Sequence, residues 1–441
     1  MGGKLRATTL EQIAENSPHS FVDGPFGSDL PASLYTTAGI PLIRGSNLSL
    51  GKCRFKADEF VYVSEATAER IQRSSCKPND IIFTKKGTLG QTGIIPERQA
   101  HSRYLISGNQ MKLTVDRSKA DPLFVYYFVS SPQSRSKIIK DSEATGVPKT
   151  NLQYLRSFTI LLPPLAKQKE IAAILGSLDD KIELNRRMNA TLESMARALF
   201  QSWFVDFDPV RAKLDGRKPA GMDAATAALF PSEFQDSELG RIPKGWRVCK
   251  LGDIAENASI TFDFKRSPEV IFVNTGDVLE GDFLHSKRSP HIGLPGQAKK
   301  SIRPNDIVFS EIRPANKRYA FVDFDSNHYV VSTKFMIIRG SKEIHPRMLY
   351  RILTAKETVD EFQLQAESRS GTFPQITFDS ICHLPIMLPP IEIQESFQRE
   401  VGKMDAQIKV NKEQSRSLAT LRDLLLPRLL SGELIVKQPD N

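Results

Sequence analysis

An internal repeat constrains the fold of this chain more than any other feature of its sequence. Residues 77–83 (Lys-Pro-Asn-Asp-Ile-Ile-Phe) return as residues 303–309 (Arg-Pro-Asn-Asp-Ile-Val-Phe), and residues 160–164 (Ile-Leu-Leu-Pro-Pro) return as residues 386–390 (Ile-Met-Leu-Pro-Pro). Both pairs are 226 positions apart, whereas a match near the start of each copy is 241 positions apart. The sequence therefore predicts two domains built on one frame, the first of them lengthened by an insertion.

Each copy has the pattern of a mixed α/β domain. Short runs rich in β-branched and aromatic residues, bounded by Gly, Pro and Asn, predict strands such as 81–84 and 307–310. Residues 123–128 and 348–353 have the composition of short helices that pack on a sheet. We therefore expect an α+β fold class with two similar mixed α/β domains.

Long periodic segments follow the two proline pairs that end these domains. Proline is excluded from a helix interior but can start a helix. Residues then recur every seven positions: Ile171, Leu178, Asn185, Leu192 and Leu199 in the first segment, and Phe397, Met404, Asn411, Leu418 and Leu425 in the second. Such a seam is typical of helix–helix pairing. We expect an intramolecular antiparallel coiled coil that separates the two globular domains in a pseudo-two-fold arrangement.

Asparagine occupies the same seam position in both helices, at Asn185 and Asn411. A buried pair of asparagines would fix the register of the coiled coil at some cost in stability. The alternative is that both side chains are exposed and merely tolerated.

These features divide the chain into consecutive segments. They are a first globular domain (1–160), a first long helix (161–205), a linker (206–242), a second globular domain (243–386), a second long helix (387–434) and a tail (435–441). Gly and Pro punctuate the linker, in which residues 224–229 predict one short helix.

Charge and cysteine content narrow the class of protein. The 60 Lys and Arg residues exceed the 51 Asp and Glu residues, and the formal net charge of +9 favours contact with phosphates without establishing it. The cysteines are widely spaced and form no CxxC pair, which predicts reduced thiols rather than a metal site. Since no apolar segment has the length of a signal sequence or a membrane span, we expect a soluble cytoplasmic protein.

The sequence lacks the motifs of enzymes that act on nucleotides or nucleic acids. It has no glycine-rich phosphate loop followed by Lys-Ser or Lys-Thr, and no Asn-Pro-Pro-aromatic motif of an adenine methyltransferase. Asp306, Glu311 and Arg313 superficially suggest a metal-nuclease cluster, but the first copy has a lysine and a glycine in place of the last two. We interpret the Pro-Asn-Asp segments as turns before buried strands, and we expect no catalytic residue and no metal ligand.

Several segments resemble the specificity subunits of Type I restriction–modification systems, and the resemblance covers nearly the whole chain. The most specific are residues 162–171 (Leu-Pro-Pro-Leu-Ala-Lys-Gln-Lys-Glu-Ile) and 203–209 (Trp-Phe-Val-Asp-Phe-Asp-Pro). Residues 242–246 and 429–434 are also similar to family signatures. The Leu-Pro-Pro…Gln helix start is strong support because it occurs twice at one spacing.

This resemblance implies a protein that reads DNA and performs no chemistry itself. Two target-recognition domains would each read one half of a split double-stranded DNA sequence, and the paired helices would set the spacer between the halves. Two methyltransferase (modification) subunits would dock on the helices, and restriction/translocase subunits would join them. No cofactor is expected in this chain, because S-adenosylmethionine, ATP and Mg would be used by the partner subunits.

Polar loops within each domain are the candidates for reading DNA, because Arg and Lys suit guanine edges and phosphates while Asn and Gln suit adenine edges. In the first domain the candidates are Ser28, Arg44, Asn47, Lys85, Lys86, Thr88, Asn109, Gln110 and Lys149. In the second domain they are Asn274, Arg313, Asn316, Lys317, Arg318, Thr333, Lys334 and Arg369. Loops 144–149 and 368–374 occupy matching places, which indicates either a shared backbone contact with DNA or a structural turn.

Other interpretations stay open at this point. The aromatic residues Trp203, Phe204 and Phe207 pack in a core or, if partly exposed, anchor a partner subunit. The whole chain could also be an assembly scaffold whose globular ends bind protein, or an enzyme with an unrecognised site. Selective binding to a split DNA site with a fixed spacer separates these alternatives.

Overall fold

A computed structural model describes residues 5–98, 100–142 and 149–434 of the chain. The chain forms two compact units, of which unit 1 comprises Met1–Thr191 with Gln407–Asn441 and unit 2 comprises Leu192–Ala406. Most of the predicted loop 144–149 and the predicted tail 435–441 lie outside the described residues. No helix in the described ranges combines the length and apolar character that crossing a membrane requires.

Unit 1 begins with the first globular domain, which is built from short strands and helices. The strands are β1 (Arg6–Thr9), β2 (Phe21–Asp23), β3 (Tyr35–Thr36), β4 (Ile40–Ile43), β5 (Val61–Val63), β6 (Ser75–Cys76), β7 (Ile81–Thr84), β8 (Thr92–Ile94), β9 (Tyr104–Ile106), β10 (Gln110–Leu113) and β11 (Thr159–Leu162). The helices are α1 (Glu65–Arg70), α2 (Pro122–Ser130), α3 (Pro132–Ser142) and α4 (Leu152–Ser157), with 3-10 turns at Ala32–Leu34, Gly45–Asn47 and Gln72–Ser74.

Two sheets organise this domain. One has the order β2-β10-β7-β8 and is antiparallel throughout. The other has the order β3-β5-β4-β9-β6, in which β4 and β9 run parallel. A separate pair, β1 with β11, leads into the first long helix. The parallel pair directs the carboxyl ends of β4 and β9 to the same edge of its sheet.

The first long helix is α5 (Leu165–Phe204), which starts directly after the first proline pair. It is followed in unit 2 by the predicted linker, which is ordered: it contains α6 (Asp208–Leu214), α7 (Ala224–Leu229) and a hairpin of β12 (Phe234–Ser237) and β13 (Gly240–Pro243). The short helix predicted at 224–229 is confirmed.

The second globular domain lies wholly in unit 2. Its strands are β14 (Arg247–Lys250), β15 (Ala255–Asn257), β16 (Glu269–Val273), β17 (Val278–Leu279), β18 (Asp282–Phe283), β19 (Ser289–Pro290), β20 (Ala298–Ser301), β21 (Ile307–Ser310), β22 (Tyr319–Phe321), β23 (Tyr329–Ser332), β24 (Phe335–Gly340) and β25 (Pro385–Leu388). Its helices are α8 (Leu251–Ile254), α9 (Pro346–Thr354), α10 (Lys356–Arg369) and α11 (Phe378–Ile381), with 3-10 turns at Phe264–Arg266, Thr275–Asp277 and Pro314–Asn316. The second long helix, α12 (Ile391–Leu430), follows.

The sheets of the second domain repeat those of the first. The order β15-β24-β21-β22 matches β2-β10-β7-β8, and β14 pairs with β25 as β1 pairs with β11. The other sheet, β19-β16-β23-β20, again contains one parallel pair, β16 with β23. The copies differ at the edge beyond the parallel pair, where the first has β5 and β3 and the second has β19. The α+β repeat predicted from the sequence is confirmed.

Within unit 1, α5 and α12 pack antiparallel, because Asp179 faces Arg422 while Asn185 faces Asn411. Both asparagines are buried. The Nδ2 of Asn185 donates to the Oε1 of Gln414 at 2.9 Å, and the Nδ2 of Asn411 donates to the Oδ1 of Asn189 at 2.8 Å. The predicted polar layer is confirmed, and the alternative of exposed asparagines is wrong.

The predicted seam residues lie on the inner faces of both helices. In unit 1, Ile171 is fully buried and Leu178 and Leu418 are half-buried. In unit 2, Leu192 and Met404 are half-buried.

In unit 2, the end of α5 joins an aromatic core. Trp203 and Phe204 are buried and pack against Phe397 of α12, with ring centroids 5.7 and 5.0 Å from it. Phe207 is half-buried against Phe234 and Trp246. Of the two interpretations of this aromatic cluster, core packing is the one confirmed.

Candidate nucleic-acid interface

In unit 1, polar loops follow the carboxyl ends of the parallel strands β4 and β9. Residues 44–47 follow β4 and residues 107–110 follow β9, and the Ser107 amide donates to the Ile43 carbonyl at 3.0 Å. Carboxyl ends of parallel strands meet at one edge of a sheet, where ligands of α/β proteins commonly bind. The topology therefore gathers two separate polar segments at one place.

A third loop, residues 85–91 after β7, joins this edge. The Lys85 amide donates to the Asn109 carbonyl at 2.7 Å, and the Thr150 amide donates to the Lys85 carbonyl at 3.0 Å. A β-bridge pairs Lys86 with Lys149. Lys149, predicted from sequence as a DNA contact, therefore lies beside the loop that carries three other predicted residues.

Residues 24–30 complete the set, and two glycines make their approach possible. A Cβ on Gly24 would lie 2.0 Å from the carbonyl oxygen of Ser107, and a Cβ on Gly108 would lie 2.6 Å from that of Pro25. Both distances are steric clashes, so the backbones can touch only because neither residue has a side chain. We refer to residues 24–30, 44–47, 85–91, 107–110 and 149–150 as the loop cluster of unit 1.

Unit 2 builds the equivalent arrangement. Residues 274–277 follow β16, residues 332–334 overlap the end of β23, and residues 311–318 follow β21. The Glu311 amide donates to the Lys334 carbonyl and the Ile376 amide donates to the Glu311 carbonyl, both at 2.9 Å, as Lys85 does with Asn109 and Thr150. Ile312 forms a β-bridge with Gln375. We refer to residues 274–277, 311–318, 332–334 and 369–376 as the loop cluster of unit 2.

Most of the predicted DNA-binding residues keep accessible side chains in these clusters. The exposed ones are Ser28, Arg44, Lys86, Thr88, Asn109 and Lys149 in unit 1, and Arg313, Asn316, Lys317 and Arg369 in unit 2. The half-buried ones are Lys85, Asn274, Arg318, Thr333 and Lys334. Lys85 forms an ion pair with Asp23 at 3.0 Å, and Lys317 forms one with Glu280 at 2.7 Å.

Two predicted residues face inward, which corrects their assignment as base contacts. Asn47 is fully buried: its Oδ1 accepts from the Arg44 amide at 2.9 Å, and its Nδ2 donates to the Asp58 carbonyl at 2.9 Å. Gln110 is also buried, and its side chain accepts a hydrogen bond from the Ser107 hydroxyl. An amide committed to its own loop is not available to a base edge, so both residues shape the cluster instead.

Two further predicted residues also hold loops in place. Asn274 caps the turn that it begins, accepting from the Thr275 amide at 2.8 Å. The guanidinium of Arg318 donates to the carbonyls of Gly276 and Val278 at 3.1 and 2.9 Å. Arg318 thus joins two loops of the cluster, and its capacity for other contacts is reduced.

The Pro-Asn-Asp segments precede β7 and β21, the strands that lead into the two loop clusters. Asn79 and Asn305 both adopt the left-handed conformation, with φ of 69° and 74°, and each precedes a fully buried aspartate. Burial raises the pKa of Asp80, an effect that the nearby Lys112 ammonium partly offsets. The interpretation of these segments as turns before buried strands is confirmed.

Sequence reasoning missed the residues that fix each globular domain to its long helix. In unit 1, the Gln168 side chain accepts from the Asp121 amide at 2.9 Å and donates at 2.8 Å to the first carbonyl of the proline pair. About three helical turns further along α5, Asp179 accepts from the Tyr127 hydroxyl and from Arg422, each at 2.7 Å. These contacts set the position of the domain on α5.

Unit 2 repeats this attachment. Gln394 accepts from the His345 amide and donates to the first carbonyl of its proline pair, both at 2.8 Å. Asp405, 226 positions after its counterpart, accepts from Arg351 at 2.7 Å and pairs with Arg347 at 3.4 Å. The signal was present in the sequence, because Gln and Asp recur at identical places after both proline pairs.

The described residues contain no group of three or more His, Cys, Asp or Glu side chains arranged to hold a metal ion. What the two clusters offer is hydrogen-bonding and positively charged side chains on loops that a rigid sheet supports. Such an arrangement suits recognition of a polyanion with distinct donor and acceptor groups.

The sequence and fold match known proteins. The sequence profile described as the Type I restriction modification DNA specificity domain matches residues 35–194 and 243–419. The Type I restriction enzyme HindI specificity subunit of Haemophilus influenzae is 47% identical over 181 residues, which are 41% of this chain and 39% of that protein. The MjaIX specificity subunit of Methanocaldococcus jannaschii is 26% identical over 396 residues, which are 86% of this chain and 85% of that protein.

A solved structure shows the same fold. The S subunit of a Type I restriction–modification system from M. genitalium superposes with a TM-score of 0.56 and 13% sequence identity. The superposition covers 97% of this chain and 96% of that one.

Proposed function

The chain belongs to the Type I restriction modification DNA specificity family, and we propose from this membership that it selects the DNA sequence on which a Type I restriction–modification complex acts. The observation that carries the proposal is the loop cluster, which occurs once in each unit on equivalent strands but with different side chains. Equivalent frames present different donors and acceptors, so each unit reads one half of a split site and the two halves differ in sequence.

The exposed residues divide by the contacts that their chemistry favours. The guanidinium groups of Arg44 and Arg313 suit the acceptor edge of guanine, and the amides of Asn109 and Asn316 suit adenine. Lysines such as Lys86 serve phosphates as point charges, which fixes the position of the protein without reading sequence. A base pair read by a good bidentate contact is discriminated by about 1–3 kcal/mol.

The two long helices set the spacer and receive the partner subunits. Each helix contributes residues to both units, and the buried asparagine layer fixes their register. Exposed apolar side chains on these helices support docking of two modification subunits: Leu184, Met188, Met195, Val410, Leu421 and Leu424. Chemistry then belongs to the partners, with S-adenosylmethionine bound by the modification subunits and ATP and Mg used by the restriction/translocase subunits.

Mapping methylated adenines tests this function. The chain, coexpressed with its modification subunit in a host without other adenine methylation, should direct methylation to a split sequence with a spacer of fixed length. Purified complex should bind that duplex more tightly than one with a changed spacer. Methylation that is absent or sequence-independent would contradict the proposal and would favour a scaffold that does not read DNA.

The spacer role has its own test. One heptad inserted after Thr191 and one after Ala406 preserve the seam and leave the asparagine layer intact. Each insertion adds about 10 Å of helix, or about 3 base pairs of duplex. The same half-sites should then be methylated across a spacer longer by about two to four base pairs. An unchanged spacer in a folded, active variant would exclude the helices as the ruler. A four-residue insertion after Thr191 alone, which breaks the heptad pattern, serves as the control and should abolish activity.

A further inference from the structure

Two aromatic side chains are exposed, and each lies in one of the loop clusters. The chain has 25 phenylalanines, 9 tyrosines and 2 tryptophans, all of them among the described residues. Of these aromatic side chains, only Phe26 (66% exposed) and Phe373 (75% exposed) lie on the surface, and the others are buried or half-buried. Exposing a phenylalanine ring forfeits roughly 1.5–3 kcal/mol of burial, so the placement of both rings beside polar, positively charged loops calls for a partner.

Phe26 is presented by a constrained turn in unit 1. The amides of Asp29 and Leu30 both donate to the Phe26 carbonyl, at 2.9 and 3.3 Å, which closes the turn beneath the ring. The turn is fixed to the loop after β9, because the Gly24 amide donates to the Gln110 carbonyl at 2.9 Å. The guanidinium carbon of Arg73 lies 5.8 Å from the ring centroid. The ring therefore stands on a fixed base beside a positive charge.

Phe373 is presented in the same way in unit 2. Its amide donates to the Ser370 hydroxyl at 3.1 Å, and the next residue, Pro374, is buried and accepts from the Arg313 amide at 3.1 Å. The Arg313 guanidinium reaches the Thr372 carbonyl at 3.5 Å. The base of this loop is thus pinned on both sides of the exposed ring, next to a residue predicted to contact DNA.

We propose that Phe26 and Phe373 contact DNA bases through their ring faces, each by stacking on or wedging between bases in the half-site that its own unit reads. This inference rests on the proposed function. Apolar side chains, phenylalanine among them, insert between base steps in DNA-bending proteins, where partial unstacking permits a larger contact. Every base has a π-face, so the contact strengthens binding and senses how easily a step unstacks, which complements hydrogen-bond readout by the polar loops.

Other exposed apolar residues provide matched controls. Ile292 is 84% exposed in unit 2, but it follows β19, which pairs with the amino-terminal end of β16, whereas the loop cluster follows the carboxyl end. Leu161 is exposed in unit 1 on β11, outside that cluster. If exposed apolar area alone raised affinity, substitution of these residues would act like substitution of the phenylalanines.

The test uses the full chain in complex with its modification subunits and duplexes that carry the split site found by methylation mapping. Phe26→Ala and Phe373→Ala should each lower affinity for this duplex by about 5- to 100-fold, while Phe373→Trp should retain it. Ile292→Ala and Leu161→Ala should bind as the unmodified protein does. Permanganate, which oxidises unstacked thymines, should detect distortion in one half-site that disappears with Phe26→Ala and in the other half-site with Phe373→Ala.

The outcomes separate the inference from the function on which it rests. Selective binding by the unmodified complex, together with unchanged affinity and permanganate reactivity in both alanine variants, would overturn the aromatic contact and leave the specificity function intact. No selective binding by the unmodified complex would overturn both. Since both rings are exposed, thermal unfolding of the alanine variants should match that of the unmodified protein, and a loss of affinity then reports on DNA contact rather than on folding.

Discussion

The two units neutralise equivalent buried aspartates with different cations. In unit 1, the Nζ of Lys112 lies 3.3 Å from the Oδ2 of Asp80. In unit 2, the Nε and Nη2 of Arg339 donate to the two carboxylate oxygens of Asp306 at 2.8 and 2.9 Å. Lys112 lies on β10 and Arg339 lies on β24, and these strands hold equivalent places in the two sheets. Both copies keep the turn, but a lysine neutralises its aspartate in the first copy and an arginine does so in the second. The frame is repeated, and the means of stabilising it diverge.

The attachment of each domain to its helix shows the same contrast. Gln168 and Gln394 make matching pairs of hydrogen bonds. Asp179, at 7% side-chain exposure, is held by a tyrosine and by Arg422 of the other long helix, whereas Asp405, at 16%, is held by two arginines of the second domain. Contacts to the helices are thus kept at fixed sequence positions, while the loop clusters carry most of the difference between the copies.

The largest expected effect concerns the buried ion pair of unit 1. Arg422→Ala leaves the Asp179 carboxylate buried without its cation, so we expect the free energy of unfolding to fall by about 3–5 kcal/mol. Arg351→Ala in unit 2 should cost less, because Arg347 still faces the more exposed Asp405. Denaturant titration of the full chain measures both, with Arg416→Ala on the exposed face of α12 as the control. Equal costs would erase this difference between the units.

A smaller effect is expected in both units at the two glutamines. Gln168→Ala and Gln394→Ala each leave a backbone amide and the first carbonyl of the proline pair without this partner, at a cost of about 1–3 kcal/mol. The cost in unit 2 should be the larger by up to about 1 kcal/mol, because Gln394 also donates to the Glu343 carbonyl at 3.0 Å. Lys169→Ala, next to Gln168 but exposed, should change the titration little. A large cost in one unit alone would show that the two attachments are not equivalent.

The smallest expected effect is a difference between the two units in how their stability depends on pH. Burial lowers the pKa of His345 below its ordinary value, and the neighbouring Arg347 lowers it further. The neutral ring is favoured in the folded state, and its Nδ1 accepts from the Arg347 amide at 3.3 Å. The stability that this provides is complete above the unfolded pKa of about 6.5 and is lost as the pH falls through the lower folded value.

Unit 1 has Asp121 at the matching helix start, so this loss should be confined to unit 2. Acidification from about pH 7 to about pH 5.5 should lower the free energy of unfolding of unit 2 by no more than about 1.4 kcal/mol per pH unit, the limit for one titrating group. His345→Asn keeps a capping side chain that does not titrate and should remove this dependence. Hydrogen exchange of α9 and α2 amides at the two pH values measures it, and equal loss in both helices would assign the effect to another group.

Periodic patterns made the architecture predictable from sequence. The repeat spacing, the heptads and the proline pairs are local or regular signals, and they located both domains, both long helices and the buried asparagine layer. The loop clusters were predicted as polar segments because Gly, Asn and Lys group there. Which side chains face outward was not predictable. Asn47 turns inward to the Asp58 carbonyl, and Gln110 is buried where β10 pairs with β7, so both orientations depend on how the chain folds back on itself. The roles of Gln168 and Asp179 were missed for the same reason, since their partners come from other elements.

The central claim is that each unit reads one half of the DNA site independently. It is tested most directly by replacing residues 20–115 with the matching segment of a relative that methylates a different sequence. This exchange carries most of the loop cluster of unit 1 but leaves Asp121, Tyr127, Gln168 and Asp179 in place, so the attachment to α5 is retained. Mapping of methylated adenines should then show one half of the site changed, with the other half and the spacer as before. A change in both halves, or in neither, in a chimera that still methylates DNA would contradict the claim.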